Sequence, residues 1–456
     1  MSEIKNGTII SELDKEYNFS YDGELLQLTP KNIEEVKSYD FLVDRRIELD
    51  LLEGITVAGE KIFFLKCELI RNYSAYIAKP AGYITFTNNE KSFCTMSLSG
   101  EIINYFYRPN QIYDDVNSNY SFEHVNKGLM IQLKPLNEII KEFEIDICGQ
   151  TAKVVLSITA PGEPLAMKQH YSLGEPYSIL RIDFLQDISV EMFADIYLWL
   201  VNFFGFLNFQ KHVTFNKIKL GRFNEEYKVE QVGEVYLVHK EQMQLGHVDR
   251  TIGFYFVEER MNSLLNILNA QKLNLLFIPK EPKDRKYIDP QKYITCCTSF
   301  ESVFNFVFPK AKEEEKPEFA TAKNELIAFL EQKDAEYKGN NGVLRKQFAS
   351  LRQIIEYADY GLAEKFRYCE KKYSNVIIDF KTRILQQLNI SNDEEKEIAT
   401  DFATLRNCFT HSSMSAIQKT HIAAYSMAQC YIYVMILDKA KVPENSITQA
   451  VNLLFV

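Results

Sequence analysis

The sequence predicts an α+β protein: a β-rich region over residues 1–285, antiparallel and sandwich- or barrel-like, followed by an all-α helical bundle over residues 286–456. Three observations predict it. Short apolar runs of period two fill the first part, turn residues separate them, and after about residue 285 the apolar spacing changes to three- and four-residue steps. With 456 residues, 46% hydrophobic and 25% charged, the composition is globular and excludes a disordered, collagen-like or disulfide-framework chain.

The strand-like runs begin at Arg46, Lys61, Gly82, Leu129 and Lys153, with Gly- and Pro-containing turns between them. Residues 189–207 read as a helix that is apolar almost all round, packed on the sheet. The surrounding apolar window, residues 193–209, is too short for a bilayer span and carries Asp195, Asn202 and Gly205. Two more strand-like runs follow, at residues 234–239 and 251–257. In the second part Tyr293, Cys296, Cys297, Phe300, Phe304 and Val307 share one helix face. Further helices are expected at 320–337, 342–372 and 374–388, with a charged loop at 310–318. Ser391 and Glu394 have capping-box spacing and open a helix running to His411. A nearly all-apolar helix over 416–437 forms the centre of the bundle, and a short one follows Pro443.

Net charge is −10, which argues against a generic basic nucleic-acid binder. Residues 290–456 hold 21 Lys and Arg against 21 Asp and Glu, so the acidic excess lies wholly in the first part. Eight cysteines without a CxxC spacing fit a reducing cytosol, and the first ten residues lack a signal-peptide pattern. A cytoplasmic protein without a membrane anchor is expected.

The chemistry-bearing segment is Thr404 to Ser413. On an ideal helix Ile398, Phe402, Leu405 and Phe409 fall within about 60° of one another and form the core stripe. Asn407 and His411 share a nearly opposite face, and Arg406 flanks the stripe. An imidazole at a fraying helix end, free to swing toward a guanidinium that ideal geometry places about 140° away, suits cleavage of RNA at its own 2′-OH. Neutral imidazole removes the proton, imidazolium protonates the leaving 5′-oxygen, and the guanidinium meets the charge on phosphorus. No metal or other cofactor is needed for that chemistry.

Residues 290–456 resemble a HEPN domain, whose ribonuclease members carry an Arg-(Asn/His/Asp)-x(3–5)-His motif, matched by Arg406, Asn407 and His411. The nearest subgroup is the ApeA-like HEPN proteins of bacterial anti-phage defence. Its aromatic-rich first helix around a glutamate is matched by Thr298 to Phe304 with Glu301, and its β-rich N-terminal region by residues 1–285. The resemblance implies a metal-independent endoribonuclease with His411 as acid and base and Arg406 on the scissile phosphate. It also implies a homodimer through the helical domain and a tRNA-like or other structured RNA substrate. The N-terminal region would restrain the nuclease until a phage-derived trigger arrives.

For Glu301 an active-site carboxylate and an ordinary helix-surface residue both stand open. The basic residues Arg345, Lys346, Arg352 and Arg383 either track an RNA backbone or form a solvated face balanced by nearby acids, and the acids weigh toward the second. Cys296 and Cys297 read as core, as do Met427, Tyr431 and Met435. His239, His247 and Asp249 match no metal-ligand spacing. No P-loop, GxGxxG or GxSxG occurs. Two alternatives remain: a HEPN bundle that docks RNA or dimerises without turnover, and a β-sandwich that binds carbohydrate or peptide on some of its 58 Tyr and Phe side chains.

Overall fold

The structure, a computed structural model, describes all residues except 1–3, 12, 14–15, 33–45, 73–74, 88–89, 113–133, 135, 160–161, 164–171, 174, 239–242, 245, 247–249, 271–272, 310–316, 337–341, 357–360, 411–415 and 456. The strand run expected at Leu129, the histidines His239 and His247, Asp249, and His411 all lie outside the described residues. The chain divides into two compact units, Met1–Tyr255 and Phe256–Val456. Residues 256–285, which the sequence reading places with the β-rich region, therefore belong with the helices.

The first unit starts with six strands, β1 (Lys5–Ile9), β2 (Tyr17–Tyr21), β3 (Leu26–Pro30), β4 (Arg46–Thr56), β5 (Lys61–Asn72) and β6 (Ala75–Ala78). They pair antiparallel in the order β4-β1-β2-β3-β6-β5, and β5 pairs back onto β4, so the six close into a ring. Period-two burial places one apolar cluster inside it, with Tyr17, Phe19, Tyr21, Leu26, Leu28 and Phe64 at its heart. The Phe64 ring meets Phe19 and Tyr21 edge-on at 5.3 and 5.4 Å.

Strand β5 serves two neighbours on one edge. Its first residues, Lys61 to Leu65, pair with β7 (Gly82–Phe86), and Ile70 to Asn72 pair with β6. The change of partner brackets Lys66, whose backbone is left-handed (φ 48°). Ile62, Phe63, Phe64 and Leu65 are all buried because both faces of this stretch are covered.

From β7 the sheet continues through β8 (Ser92–Ser99), β9 (Lys141–Ile147), β10 (Gln150–Thr159), β13 (Tyr177–Ser189), β14 (Lys217–Phe223) and β15 (Val229–Leu237), in the spatial order β7-β15-β14-β8-β13-β10-β9. A small hairpin, β11 (Gly162–Glu163) and β12 (Ser172–Leu173), stands apart. Helix α1 (Glu101–Phe106) packs on β8 and β13, and α2 (Leu136–Ile139) packs on β10. Helix α3 (Phe193–Leu207) buries Phe203 and Phe204 against Phe106 of α1. Contrary to the expectation that this apolar window is too short for a span, the helical stretch Val190–Leu207 is long and apolar enough to cross a bilayer, because it starts three residues earlier; half of it is buried within the protein. The second strand-like run near residue 251 is instead the short helix α4 (Phe254–Val257), with Phe254 and Val257 buried at helical spacing. A short apolar run fits either period, and here three-residue spacing won.

The second unit contains α5 (Met261–Leu268), α6 (Pro290–Val307), α7 (Pro317–Glu336), α8 (Gly342–Glu356), α9 (Leu362–Lys372), α10 (Ile378–Gln387), α11 (Asn392–Thr410), α12 (Lys419–Lys439) and α13 (Glu444–Phe455). Helix α12 is buried nearly all round and packs against α5, α6, α10, α11 and α13, the central role expected from its apolar sequence. The segment read as one helix over 342–372 is two, with extended Gly361 capping α9, and the helix expected from 374 starts at Ile378. Asp289 caps α6 by accepting from the Lys292 amide at 2.8 Å.

The expected capping box opens α11. Ser391 N–H donates to Glu394 Oε2 at 2.9 Å, and Glu394 N–H donates to Ser391 Oγ at 3.4 Å. The Lys419 ammonium, then the Ser391 hydrogen bonds, hold the Glu394 carboxyl down at about 2, against an ordinary 4.5. Because the folded value is depressed, this stabilisation is present above 4.5 and is lost as pH falls toward 2. Glu394→Gln is expected to flatten the loss of urea resistance across that window, a difference read by denaturation at several pH values.

Candidate active site

Three helices converge on one charged cluster. The α11 stripe behaves as its spacing requires: Ile398, Phe402 and Leu405 are buried, and Phe409 meets Tyr293 of α6 edge-on at 5.8 Å. That packing turns Arg406 toward α6 and leaves Asn407 exposed on the far side. Arg406 Nη2 lies 3.9 Å from Glu301 Oε2, and Arg406 Nη1 donates to Asn407 Oδ1 at 3.2 Å. The other Glu301 oxygen, Oε1, accepts from Lys365 Nζ of α9 at 3.0 Å. Helices α6, α9 and α11 all pack on one another, so the three charges are set by rigid elements.

Burial grades these groups. The Lys365 side chain is only 5% exposed, whereas those of Glu301 and Arg406 are 33% and 39% exposed. The Lys365 ammonium also lies 6.0 Å from the centre of the Phe304 ring. Glu301 thus has a standing task, neutralising a buried lysine, and its second oxygen faces the guanidinium. One turn before Glu301, the Cys297 thiol is pushed up by burial, with Glu301 adding to that shift and Arg406 opposing it; it stays protonated and is no nucleophile. Two lysine and arginine charges against one carboxylate leave the cluster net positive, with guanidinium donors open to an incoming phosphodiester.

Of the residues singled out from sequence, Glu301, Arg406 and Asn407 come together. Arg345 and Arg352 lie on α8, paired with Asp334 at 3.1 Å and Glu331 at 3.5 Å on α7. Lys346 is exposed on the same helix, and Arg383 lies in a groove beside α13. Cys296, Cys297, Met427, Tyr431 and Met435 are core. The residue that sequence reading missed is Lys365. Its signal was a lysine on the apolar face of α9, between Leu362, Phe366 and Cys369. His421 is distinct from this cluster's chemistry: its Nδ1 accepts from the Gln418 amide at 2.9 Å, and burial lowers its affinity for protons. Among the described residues no group of His, Cys, Asp and Glu could hold a metal ion.

Glu301→Gln strips the anion from a buried ammonium and is expected to cost about 2–3 kcal/mol, less than for a wholly buried pair because Glu301 is partly exposed. Adding Lys365→Met should recover part of that loss, as urea titration of the single and double variants would report.

No protein-family model, curated protein or solved structure matches this chain.

Proposed function

We propose that the protein is a metal-independent endoribonuclease of HEPN type. The reading rests most on the meeting of Arg406 with Glu301 and Lys365 on three mutually packed helices, next to Asn407. In this reading Arg406 stabilises the charge that develops on phosphorus. Glu301, tied down by Lys365, orients the guanidinium, and Asn407 braces its other side. His411, five residues beyond Arg406 in the chain, takes the 2′-OH proton. The 2′-oxygen then bonds to phosphorus, the bond from phosphorus to the 5′-oxygen breaks, and the leaving oxygen takes a proton from an imidazolium. The products are a 2′,3′-cyclic phosphate and a 5′-hydroxyl.

The same proposal assigns the helical unit to a homodimer, a tRNA-like or other structured RNA as substrate, and a cytoplasmic role in abortive anti-phage defence. The β-rich unit would sense a phage-derived trigger. Since Arg345 and Arg352 already have acidic partners, Lys346 is the cation on α8 left to meet an RNA backbone.

Incubating wild type and His411→Ala with total RNA in a chelator tests the reading. Wild type should cleave and leave cyclic phosphate ends, the variant should leave the RNA intact, and only wild type should be toxic on expression. Cleavage that needs a divalent metal and yields 5′-phosphates, or equal cleavage by both proteins, would defeat it.

A further inference from the structure

Helices α7 and α8 form a hairpin of their own. Among the described residues neither packs extensively on any other element of the second unit. The two run antiparallel, since Arg345 pairs with Asp334 while Arg352, further along α8, pairs with Glu331, further back along α7. Toward each other they turn Leu330, which is buried, and Ile327, Leu344 and Phe348, which are half-buried. A second apolar set stays outside: Leu326 and Phe329 of α7 are 52% and 53% exposed, and Val343 and Leu351 of α8 are 67% and 46% exposed. At 100° per residue Leu326 and Phe329 fall within about 60° of each other, and Val343 and Leu351 within about 80°. Each pair lies roughly 80–100° from the inner residues of its own helix, in the same rotational sense. On antiparallel helices that sense brings both pairs to one side of the hairpin, as a broad apolar face across two helices with nothing packed on it.

We propose that this face is an interface between two copies of the chain, closed into a four-helix bundle about a two-fold axis parallel to the helices. Charge selects both the occupant and the axis. Helix α7 carries five acidic residues against two lysines, whereas α8 carries Arg345, Lys346 and Arg352 against Glu356. A two-fold along the helices lays α7 of each copy antiparallel on α8 of the other, acid over base. A two-fold across them would stack α7 on α7 and α8 on α8, with like charges facing. The pairing of Glu331 with Arg352 sets Phe329 and Leu351 at one level of the hairpin. In the favoured arrangement Phe329 of one copy therefore meets Leu351 of the second. An RNA backbone is a poor occupant, because the acidic excess of α7 repels phosphates. The surface deepens the homodimer of the ribonuclease reading and rests on that reading only for the expectation that two copies meet. It uses no residue of the Arg406 cluster.

Sedimentation velocity of the full-length protein at concentrations up to about 50 μM is the test. Wild type is expected to sediment as a dimer. Phe329→Lys and Leu351→Asp each set an unpaired charge in the apolar face and should each raise the dimer Kd about tenfold or more. Mixing these two variants should restore the dimer. The introduced ammonium and carboxylate then meet in one half of the interface, and the other half keeps its wild-type pair. Leu185→Asp, at an 81% exposed position of β13 outside the hairpin, should stay dimeric. Arg406→Ala should also stay dimeric, so that loss of cleavage and loss of the dimer are read separately. Phe329 and Leu351 are exposed in the single chain, so their variants are expected to keep the wild-type circular dichroism spectrum. A monomeric wild type, dimeric single variants, or a mixture that stays monomeric overturns the proposal.

Discussion

On the ribonuclease proposed above, Arg406→Ala is expected to slow RNA cleavage about 100- to 1,000-fold, the usual consequence of removing one preorganised donor from a developing oxyanion. Arg406→Lys should restore little, because an ammonium keeps the charge but loses the planar fork that Asn407 and Glu301 hold in place. Stability should barely move, since the side chain is 39% exposed and its ion pair with Glu301 is long, at 3.9 Å. Single-turnover cleavage beside urea denaturation separates the two effects. A variant that cleaves at the wild-type rate would remove the guanidinium from the mechanism.

The second large effect is on folding. Phe402→Ala is expected to cost about 3–5 kcal/mol. Phe402 is 0% exposed, and its ring lies between those of Tyr293, Phe300 and Phe366 at 5.3 to 5.8 Å, which tie α11 to α6 and α9. The single tryptophan, Trp199, lies in α3 of the first unit, while helices dominate the second. The helical circular dichroism transition should therefore move to lower urea while the tryptophan fluorescence transition stays near its wild-type position. Coincident shifts of both would mean that the damage spreads through the whole chain.

These two residues illustrate what local pattern can and cannot reveal. Phe402 was readable because an amphipathic helix repeats its apolar positions at fixed steps, and the Ser391 and Glu394 cap was readable because its partners are three residues apart. Strands β4, β5, β7, β10 and β15 were foreseen for the same reason, period-two alternation between turns. Lys365 was not foreseen as a site residue. It meets Glu301 across 64 positions of sequence, and an isolated lysine among apolar neighbours gives no sign of which carboxylate will neutralise it. Ring closure was equally hidden, because the pairing of β5 with β4, β6 and β7 depends on which edges meet in space. The boundary near residue 285 missed because α5 buries its apolar face with α12, far along the chain.

Closing β4 onto β5 also leaves the described sheet without a free edge on that side. With the ring shut, the hydrogen-bonding order of the sheet among the described residues terminates at β9 (Lys141–Ile147), whose exposed positions carry Glu142, Glu144 and Asp146, Glu142 paired with Lys153 of β10 at 2.7 Å. A row of like charges along a terminal strand repels an identical row, so stacking of one copy upon another is discouraged there.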